Sequence, residues 1–355
     1  MSTGSLSGSA LLGSARPPAQ LYDVALLDLD GVVYLGSTAV PGAAAHLAAA
    51  VGAGMRLGFV TNNAARSPQQ VAEQLTRLGV PADASLVITS AQTAARVLAE
   101  RLPPGARVLV VGTEALAGEV RQRGLLPVGP PAQSTAEPVA AVVQGYSPDT
   151  GWRDLAAACR AVRGGAWWVA SNADPTVPSV DGPLPGNGAF VDVVRATTGL
   201  EPSVTGKPEP SMHAECLDRM KARRPLVVGD RLDTDIEGAS RVGCHSMIVL
   251  TGVTRPVDLL GAPPPHRPTY LGADLGALLY AHPEVRRLPA GWNCLQWSVA
   301  EPRHTGDGLA LAGSGDPLDA LRALCAGAWE TGLTAIGAAD APAEQALRRL
   351  GIPIG

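Results

Sequence analysis

Short apolar runs that end in polar residues alternate with longer helix-forming segments along this 355-residue chain. Such runs at residues 24–27, 57–60, 226–229 and 247–250 predict buried strands. Between the first two, the alanine-rich segment 43–52 predicts a helix. Buried parallel strands give continuous apolar runs and are joined by helices, so this order predicts an α/β fold with a parallel sheet.

A second series of strands and helices interrupts the first. Ser67 and Pro68 suit the N-cap and first turn of a helix that runs to Gly79. From about residue 91 to 199 the chain has a separate α/β pattern. It predicts strands at 108–111, 140–144 and 167–170, and helices at 152–162 and 191–197. The first pattern then resumes, which indicates one core interrupted by an inserted domain.

Composition limits the classes of function. With 46% hydrophobic residues the chain can bury a sizeable core, whereas a net charge of −4 and 4% aromatic residues give no reason to expect nucleic acid as a partner. Five dispersed cysteines without a CxxC pair suggest neither a zinc site nor a disulfide framework, and favour a reducing compartment. Without a long apolar run or a signal-like N-terminus, we predict no membrane partner and a cytoplasmic location.

Three predicted strands end in clusters of polar residues. These clusters are Asp28-Leu29-Asp30-Gly31, Thr61-Asn62-Asn63, and the segment 229–235 with Asp230, Asp233 and Asp235. One such acidic turn alone would be a solvated loop, but ligands bind at the carboxyl ends of parallel strands, and here the pattern recurs three times. Clustered carboxylates favour a hard cation such as Mg²⁺, which commonly binds with phosphate.

The segments DLDGVV, TNN, GKPEP and GDRLDTDIEGA resemble, in the same order, the four motifs of the haloacid dehalogenase superfamily. Their particular forms are similar to its p-nitrophenylphosphatase and NagD-like subfamily, over about residues 22–279. The resemblance implies a Rossmann-like parallel-sheet core, an inserted α/β cap domain and a small C-terminal α/β extension. We expect a flexible tail at 1–20, and the remaining domains as follows: core 21–90 and 200–285, cap 91–199, and extension 286–355.

The resemblance implies a role for each matching residue. Asp28 corresponds to the nucleophile that forms an aspartyl-phosphate, and Asp30 to the acid that protonates the leaving alkoxide and then activates water. The dehalogenases of the superfamily lack that second aspartate, so Asp30 favours a phosphatase.

Substrate-binding roles follow for the second and third motifs. Thr61, Asn62 and Asn63 would surround the phosphoryl group, with donors from the Thr61 hydroxyl and from the backbone and amide of Asn62. Lys207 would offset the charge on nucleophile and phosphate. Alone, Thr61 would be an ordinary packed strand residue and Lys207 a solvated surface group.

The fourth motif implies the metal ligands. Asp230 would bind Mg²⁺ directly, together with Asp28 and the backbone carbonyl of Asp30. Asp235 would hold a metal-bound water or orient the motif-three lysine. Asp233 is better interpreted as a helix-start residue.

The turn-rich segment 171–178 resembles the cap loop that selects the leaving group. Asn172 and Asp174 match its polar positions, although Asp174 fits a turn-forming role equally well. The small residues Thr176 and Val177 favour a compact polyol phosphate over a large ring.

The C-terminal extension resembles a truncated acetyltransferase fold, with the predicted order strand, turn, strand, helix, strand, helix. Arg303-His304-Thr305-Gly306-Asp307-Gly308 fits the RxxGxG pattern of acetyl-CoA binding, but the following Leu309–Ala312 segment predicts the second strand of a hairpin rather than a helix. We therefore favour a structural or interface role over acetyltransferase activity.

These observations predict a Mg²⁺-dependent phosphomonoesterase that acts on a small phosphate ester. The plan, including the extension, is similar to the actinobacterial glycerol-3-phosphate phosphatases of the subfamily, so glycerol 3-phosphate is the favoured substrate. Phosphatases of sugar phosphates, nucleotides or phosphoglycolate remain alternatives, as does a non-catalytic scaffold. A homodimer is possible.

Overall fold

The computed structural model describes residues 11–130, 137–177, 182, 184–301 and 308–355. Its strands are β1 Val24–Leu27, β2 Tyr34–Leu35, β3 Thr38–Ala39, β4 Arg56–Thr61, β5 Val87–Thr89, β6 Arg107–Val111, β7 Leu126–Val128, β8 Ala141–Gln144, β9 Trp167–Ala170, β10 Thr176–Val177, β11 Leu184–Pro185, β12 Ser203–Val204, β13 Pro225–Gly229, β14 His245–Val249, β15 Tyr270–Gly272, β16 Arg286–Leu288, β17 Gly291–Cys294, β18 Trp297–Ala300, β19 Leu309–Gly313 and β20 Ile336–Ala338.

The helices account for most of the remaining regular structure. The α-helices are α1 Pro18–Leu21, α2 Ala43–Gly52, α3 Pro68–Arg77, α4 Ser90–Arg101, α5 Glu114–Gln122, α6 Trp152–Arg163, α7 Asn187–Thr198, α8 Pro210–Met220, α9 Glu237–Arg241, α10 Pro256–Leu260, α11 Pro317–Thr331 and α12 Ala341–Leu350. Short 3₁₀ turns cover Ala84–Leu86, Pro264–His266 and Leu275–Leu279, and a π-helical turn covers Leu232–Ile236. None of the helices in the described ranges combines the length and the apolar character that crossing a membrane requires.

The chain divides into two units. The first contains the described residues of Met1–Leu35, Ala39–Leu57 and Ala222–Gly355, and the second contains those of Gly36–Thr38 and Gly58–Lys221. The domain boundaries that we derived from the sequence stay a prediction.

The first unit contains a parallel sheet in the order β15-β14-β13-β1. Its strand β1 is apolar on both faces, and every residue of Val24–Leu27 is buried. The predicted bounds of this strand and of helix α2 agree with the structure. The parallel α/β fold predicted from alternating strands and helices is confirmed.

The first unit also holds the C-terminal extension, a sheet in the order β16-β17-β18-β19-β20. Its pairs are antiparallel except β19 with β20. Helix α11 attaches this sheet to the parallel sheet, because the Trp329 indole N–H donates to Leu259 O at 2.7 Å and the Arg322 guanidinium donates to Leu271 O at 2.6 Å. One hydrophobic cluster runs through both sheets and includes Ile236 and Ile248.

The extension differs in one respect from the predicted order. β18 and β19 form the predicted hairpin, but β16 and β17 precede them as two additional strands. A two-residue turn at Leu295 and Gln296 separates β17 from β18, and Leu295 adopts a left-handed φ of 52°. Neither residue is a usual turn former, so no local signal predicts this turn. The Arg303–Asp307 part of the RxxGxG segment lies outside the described residues.

The second unit contains a parallel sheet in the order β12-β9-β8-β6-β7, with hydrophobic clusters on both faces. Helices α4 and α5 contribute to one cluster, and α6 and α7 to the other. β4 and β5 pair in parallel as well. Helix α3 begins as predicted, because the Ser67 hydroxyl accepts the Gln70 N–H at 3.3 Å and the Gln70 side chain accepts the Ser67 N–H at 2.9 Å.

Candidate active site

Three carboxylates converge in the first unit. Asp28 follows β1, Asp230 follows β13, and Asp235 lies in the π-helical turn Leu232–Ile236. One oxygen of each lies within 4.8 Å of the others, and this is the one group of three metal-ligating side chains found in the described part of the chain. Asp28 is half-buried, whereas Asp230 and Asp235 are each 1% exposed. The structure therefore brings together three of the polar side chains that follow predicted strands.

Backbone donors hold the buried carboxylates. Val253 N–H donates to Asp230 Oδ2 at 2.7 Å, and Arg231 N–H donates to Asp235 Oδ2 at 3.2 Å. The Asp28 N–H donates to Val228 O at 2.9 Å and so continues the ladder between β1 and β13. The first two bonds hold the Asp230 and Asp235 carboxylates, and the third holds the backbone of Asp28 beside the end of β13.

Glycines make room for this cluster. A Cβ added to Gly252 would lie 2.6 Å from Asp230 Cγ and 2.8 Å from Gly31 Cα. A Cβ on Gly31 would also lie 2.6 Å from Asp230 Cγ, and one on Gly229 would overlap the Asp235 side chain. Gly31 has a φ of 90°, a conformation that glycine adopts without strain.

The other acidic residues of the motifs lie outside the three-carboxylate group. Asp30 is half-buried, and its backbone forms an isolated bridge with Tyr34. Asp233 is exposed and forms hydrogen bonds of 3.1 and 2.7 Å with the Arg231 guanidinium. Burial alone would raise the pKa of Asp233, but the hydrogen bonds and charge of Arg231 hold that pKa below its ordinary value.

A polar network in the second unit joins residues of the second and third motifs with the predicted cap loop. The Asn62 side-chain amide donates to Asp174 Oδ2 at 3.0 Å and to Lys207 O at 3.1 Å. Its oxygen accepts the Lys207 N–H at 2.8 Å. The Asn172 amide donates to Asn62 O at 2.7 Å, and Ser90 Oγ donates to the same oxygen at 2.6 Å.

Thr61 and Lys207 both lie at the end of β4: Thr61 is its last residue, and Lys207 bonds to the residue before it. Thr61 is 3% exposed, and its hydroxyl oxygen accepts the Asn63 N–H at 3.1 Å. The Lys207 side chain is not the solvated surface group that a lone lysine would suggest, because the residue is 4% exposed and its Nζ donates to Val60 O at 3.2 Å. Helix α8 starts three residues after Lys207.

Asn63, Thr176 and Val177 contribute less to this network. Asn63 Oδ1 accepts the Ala65 N–H at 2.8 Å, which closes a local turn. Thr176 is exposed and Val177 half-buried in the short strand β10, which pairs with β11. In the described ranges neither side chain of β10 forms a hydrogen bond with the network around Asn62. Pro178, the last residue of the predicted cap loop, lies outside the described residues.

Sequence reasoning missed two members of the network. Ser90 follows β5, a strand that we did not predict, although the rule of polar residues after an apolar run applies to it as well. Asn187 is 1% exposed at the start of α7, and its amide donates to Asn172 O at 2.7 Å. Its Pro-Gly-Asn-Gly context in the sequence indicates only a tight turn.

Models of known families match most of the chain. A haloacid dehalogenase-like hydrolase model matches residues 25–126, and an HAD-hydrolase-like model matches residues 204–278. A GCN5-related N-acetyltransferase-like domain model matches residues 294–352, in the C-terminal extension.

Two curated relatives are phosphatases. The chain is 45% identical over 326 residues to the D-glycerol 3-phosphate phosphatase of Mycobacterium tuberculosis, a match that covers 88% of this chain and 87% of that protein. It is 35% identical over 260 residues to the acid sugar phosphatase of Staphylococcus saprophyticus, covering 73% of this chain and 97% of the relative.

Solved structures agree with these matches. The M. tuberculosis glycerol phosphate phosphatase in complex with magnesium superposes with a TM-score of 0.84 at 44% identity, covering 94% of this chain and 99% of that one. A p-nitrophenyl phosphatase from Archaeoglobus fulgidus gives a TM-score of 0.65 at 29% identity, covering 72% and 98%. The resemblance inferred from the four motifs is confirmed.

Proposed function

Because the chain belongs to the haloacid dehalogenase-like hydrolase family, we propose that it is a magnesium-dependent phosphomonoesterase in which Asp28 is the nucleophile. The observation that carries this proposal is the convergence of Asp28, Asp230 and Asp235 at the carboxyl ends of paired parallel strands. A scaffold protein has no need for such a group, since crowded carboxylates repel one another.

The chemistry of the cluster suits magnesium. All three side chains offer carboxylate oxygens, the hard ligands that Mg²⁺ prefers, and the cluster contains no nitrogen or sulfur ligand. Asp28, Asp230 and the backbone carbonyl of Asp30 would bind the cation, and Asp235 would hold a metal-bound water. Bound magnesium would supply electrostatic stabilisation of the negative charge shared by nucleophile and phosphoryl oxygens.

The two aspartates of the first motif divide the chemistry. A carboxylate oxygen of Asp28 forms a bond to phosphorus while the bond from phosphorus to the ester oxygen breaks, and Asp30 gives its proton to the departing alkoxide. Asp30 then takes a proton from water, whose oxygen attacks phosphorus and breaks the bond to Asp28. Inorganic phosphate leaves, and both aspartates return to their starting states.

Thr61 and Lys207 would bind the phosphoryl group, as their motif positions imply. The bond from Lys207 Nζ to Val60 O supports this role, because it holds the ammonium group at the strand residue that precedes Thr61. The low exposure of Lys207 also strengthens its interaction with an anion, since little water screens the charge. Asn62 and Asn63 would contribute backbone N–H groups.

We favour glycerol 3-phosphate as the substrate. The relative with 45% identity is a D-glycerol 3-phosphate phosphatase, and that match includes the C-terminal extension. The 35% identical acid sugar phosphatase makes a small sugar phosphate the second candidate. Asn172, Asp174, Thr176 and Val177 are the proposed cap-loop residues for the leaving group, within a cap domain at residues 91–199.

A phosphate-release panel tests the proposal. Glycerol 3-phosphate, sugar phosphates, nucleotides, phosphoglycolate and p-nitrophenyl phosphate would be compared with Mg²⁺ and with a chelator. We expect glycerol 3-phosphate to give the highest kcat/KM, and the chelator to remove activity. A sugar phosphate in first place would overturn the substrate assignment but leave the mechanism intact.

Two matched variants test the nucleophile. Asp28→Asn should abolish turnover with the fold retained, whereas Asp233→Asn in the same acidic region should remain active, because Asp233 is exposed and paired with Arg231. An active Asp28→Asn protein would overturn the mechanism. We further propose that the protein is a homodimer, which size-exclusion chromatography with light scattering would test. We also propose a cytoplasmic location.

A further inference from the structure

The side chain of Asn62 uses all its polar atoms on other protein groups. Its two amide protons have two acceptors, Asp174 Oδ2 at 3.0 Å and Lys207 O at 3.1 Å. Its oxygen accepts the Lys207 N–H at 2.8 Å. A side-chain amide offers two N–H donors, so both donors of Asn62 are engaged. We had expected the amide to donate to phosphate, but it would have to break one of these bonds to do so.

The orientation of this amide is determined by its partners. The Lys207 backbone N–H can only donate, so the Asn62 oxygen must face it. The amide nitrogen then faces Lys207 O and Asp174 Oδ2, both of which are acceptors. In the reversed orientation the amide nitrogen would face the Lys207 N–H, and the amide oxygen would face Lys207 O and Asp174 Oδ2. These contacts are repulsive, so the reversed orientation is excluded.

The loop that carries Asp174 is also fixed from within. The Asp174 N–H donates to Asn172 Oδ1 at 3.2 Å, and the Asn172 amide donates to Asn62 O at 2.7 Å. Asn187 donates to Asn172 O at 2.7 Å from the first turn of α7. The loop is thus bonded to Asn62 twice, once through Asn172 and once through Asp174.

Close packing joins the same loop to the turn before Lys207. A Cβ added to Gly206 would lie 2.7 Å from Asn62 Oδ1 and 2.9 Å from Asn172 Cβ. Both distances are shorter than real Cβ contacts allow, so only glycine fits there. The loop, Asn62 and the lysine turn therefore cannot shift independently.

We propose that Asn62 is a positioning residue that locks the loop 172–174 to the turn carrying Lys207, and that Asp174 is the anchor of that loop on Asn62. This inference rests on the proposed function, since it assigns Lys207 to phosphate binding. It changes the expected part of the Asn62 side chain from a phosphate donor to a link between the cap loop and the turn that carries Lys207, and that of Asp174 from a leaving-group contact to a support of Asn62. The Asp174 carboxylate then controls activity through Asn62 and Lys207.

A reciprocal exchange tests the bond between the two side chains. Asn62→Asp places a carboxylate oxygen against Asp174 Oδ2 and Lys207 O, so three acceptors face one another without a proton. Adding Asp174→Asn restores a donor between positions 62 and 174. We expect Asn62→Asp to lower kcat/KM by about 100-fold and the double variant to regain about tenfold, a coupling within the range for contacting residues.

A comparison of two substrates shows whether Asp174 positions Asn62 or contacts the leaving group directly. If Asp174 acts through Asn62, the exchange should restore glycerol 3-phosphate and p-nitrophenyl phosphate hydrolysis by the same factor, because Lys207 serves the phosphoryl group common to both. A recovery limited to one substrate, or no recovery at all, would overturn the proposal. Asp192→Asn is the control, since it neutralises an exposed carboxylate of the second unit that pairs with Arg195.

Hydrogen exchange gives a readout that does not depend on activity. Asn62→Ala removes the acceptor of the Lys207 N–H and the donor to Asp174. We expect faster amide exchange in peptides that cover Lys207 and also in those that cover 172–174, while the folded fraction remains as in wild type. Faster exchange at Lys207 alone would contradict the lock. A wild-type protein without phosphatase activity would instead refute the proposed function, and the exchange result would still decide whether the lock exists.

Discussion

Gly252 borders the acidic cluster so closely that one added methyl group tests its geometry. A Cβ at this position would lie 2.6 Å from Asp230 Cγ, whereas ordinary contacts begin at 3.4 Å, so the carboxylate must move by at least about 0.8 Å. The backbone of Gly252 does not require a left-handed conformation, so the substitution acts through the contacts of the added Cβ with the Asp230 carboxylate and, at 2.8 Å, with Gly31 Cα. A displacement near 1 Å at a reacting centre costs roughly 100-fold. We therefore expect Gly252→Ala to lower kcat/KM by about 10- to 100-fold.

The magnesium dependence of Gly252→Ala shows whether its loss of activity comes from a displaced Asp230 carboxylate. Phosphate release would be measured against Mg²⁺ concentration, and half-maximal activity should require about tenfold more Mg²⁺ than in wild type. The thermal shift produced by saturating Mg²⁺ should also become smaller. Gly261→Ala is the matched control, because nothing lies within 4 Å of the added Cβ. A Gly252→Ala enzyme with wild-type activity and wild-type magnesium dependence would refute the geometry of the cluster.

Other predictions concern the C-terminal extension and its attachment. Arg322→Met should lower the free energy of unfolding in urea by about 3 kcal/mol, because it leaves buried Asp319 and Leu271 O without their partner. Leu295→Asn should raise that free energy by about 1 kcal/mol, since asparagine tolerates the left-handed φ of 52° better; a loss of stability would contradict this reason. Burial lowers the pKa of His282 from 6.5 to about 4, so the folded state resists its protonation and stability should fall as pH decreases from 6.5 towards 4. His282→Gln should reduce that fall, as judged from unfolding curves across this pH range.

The acidic cluster was predictable because its residues follow a simple local rule. Asp28 and Asp230 each come directly after a run of buried apolar residues, and paired parallel strands end at the same edge. The same rule reached Thr61 at the end of β4. This rule requires only that a strand be recognised, and a strand is recognised from a run of consecutive apolar residues.

The partners of Asn62 were not predictable in the same way. Its amide bonds to residues 112 and 145 positions away in the chain, and no local pattern encodes the direction of a side-chain amide. The buried Lys207 ammonium is a similar case, because composition favours an exposed lysine, whereas in the fold this ammonium group is buried and donates to the distant Val60 carbonyl. The turn at Leu295 escaped prediction for the opposite reason, since its local residues contradict the conformation that strand pairing imposes.

The glycines around the cluster show a constraint that the aspartates alone do not reveal. Gly31, Gly229 and Gly252 come from three different strand ends, and a side chain at any of them would overlap Asp230 or Asp235. These absent side chains allow two carboxylates that are 1% exposed to approach Asp28. Three carboxylates this close repel one another, and a bound cation offsets that repulsion. The geometry is therefore more favourable with a bound cation than without one, and the space left by the glycines determines the metal site as much as the ligands do.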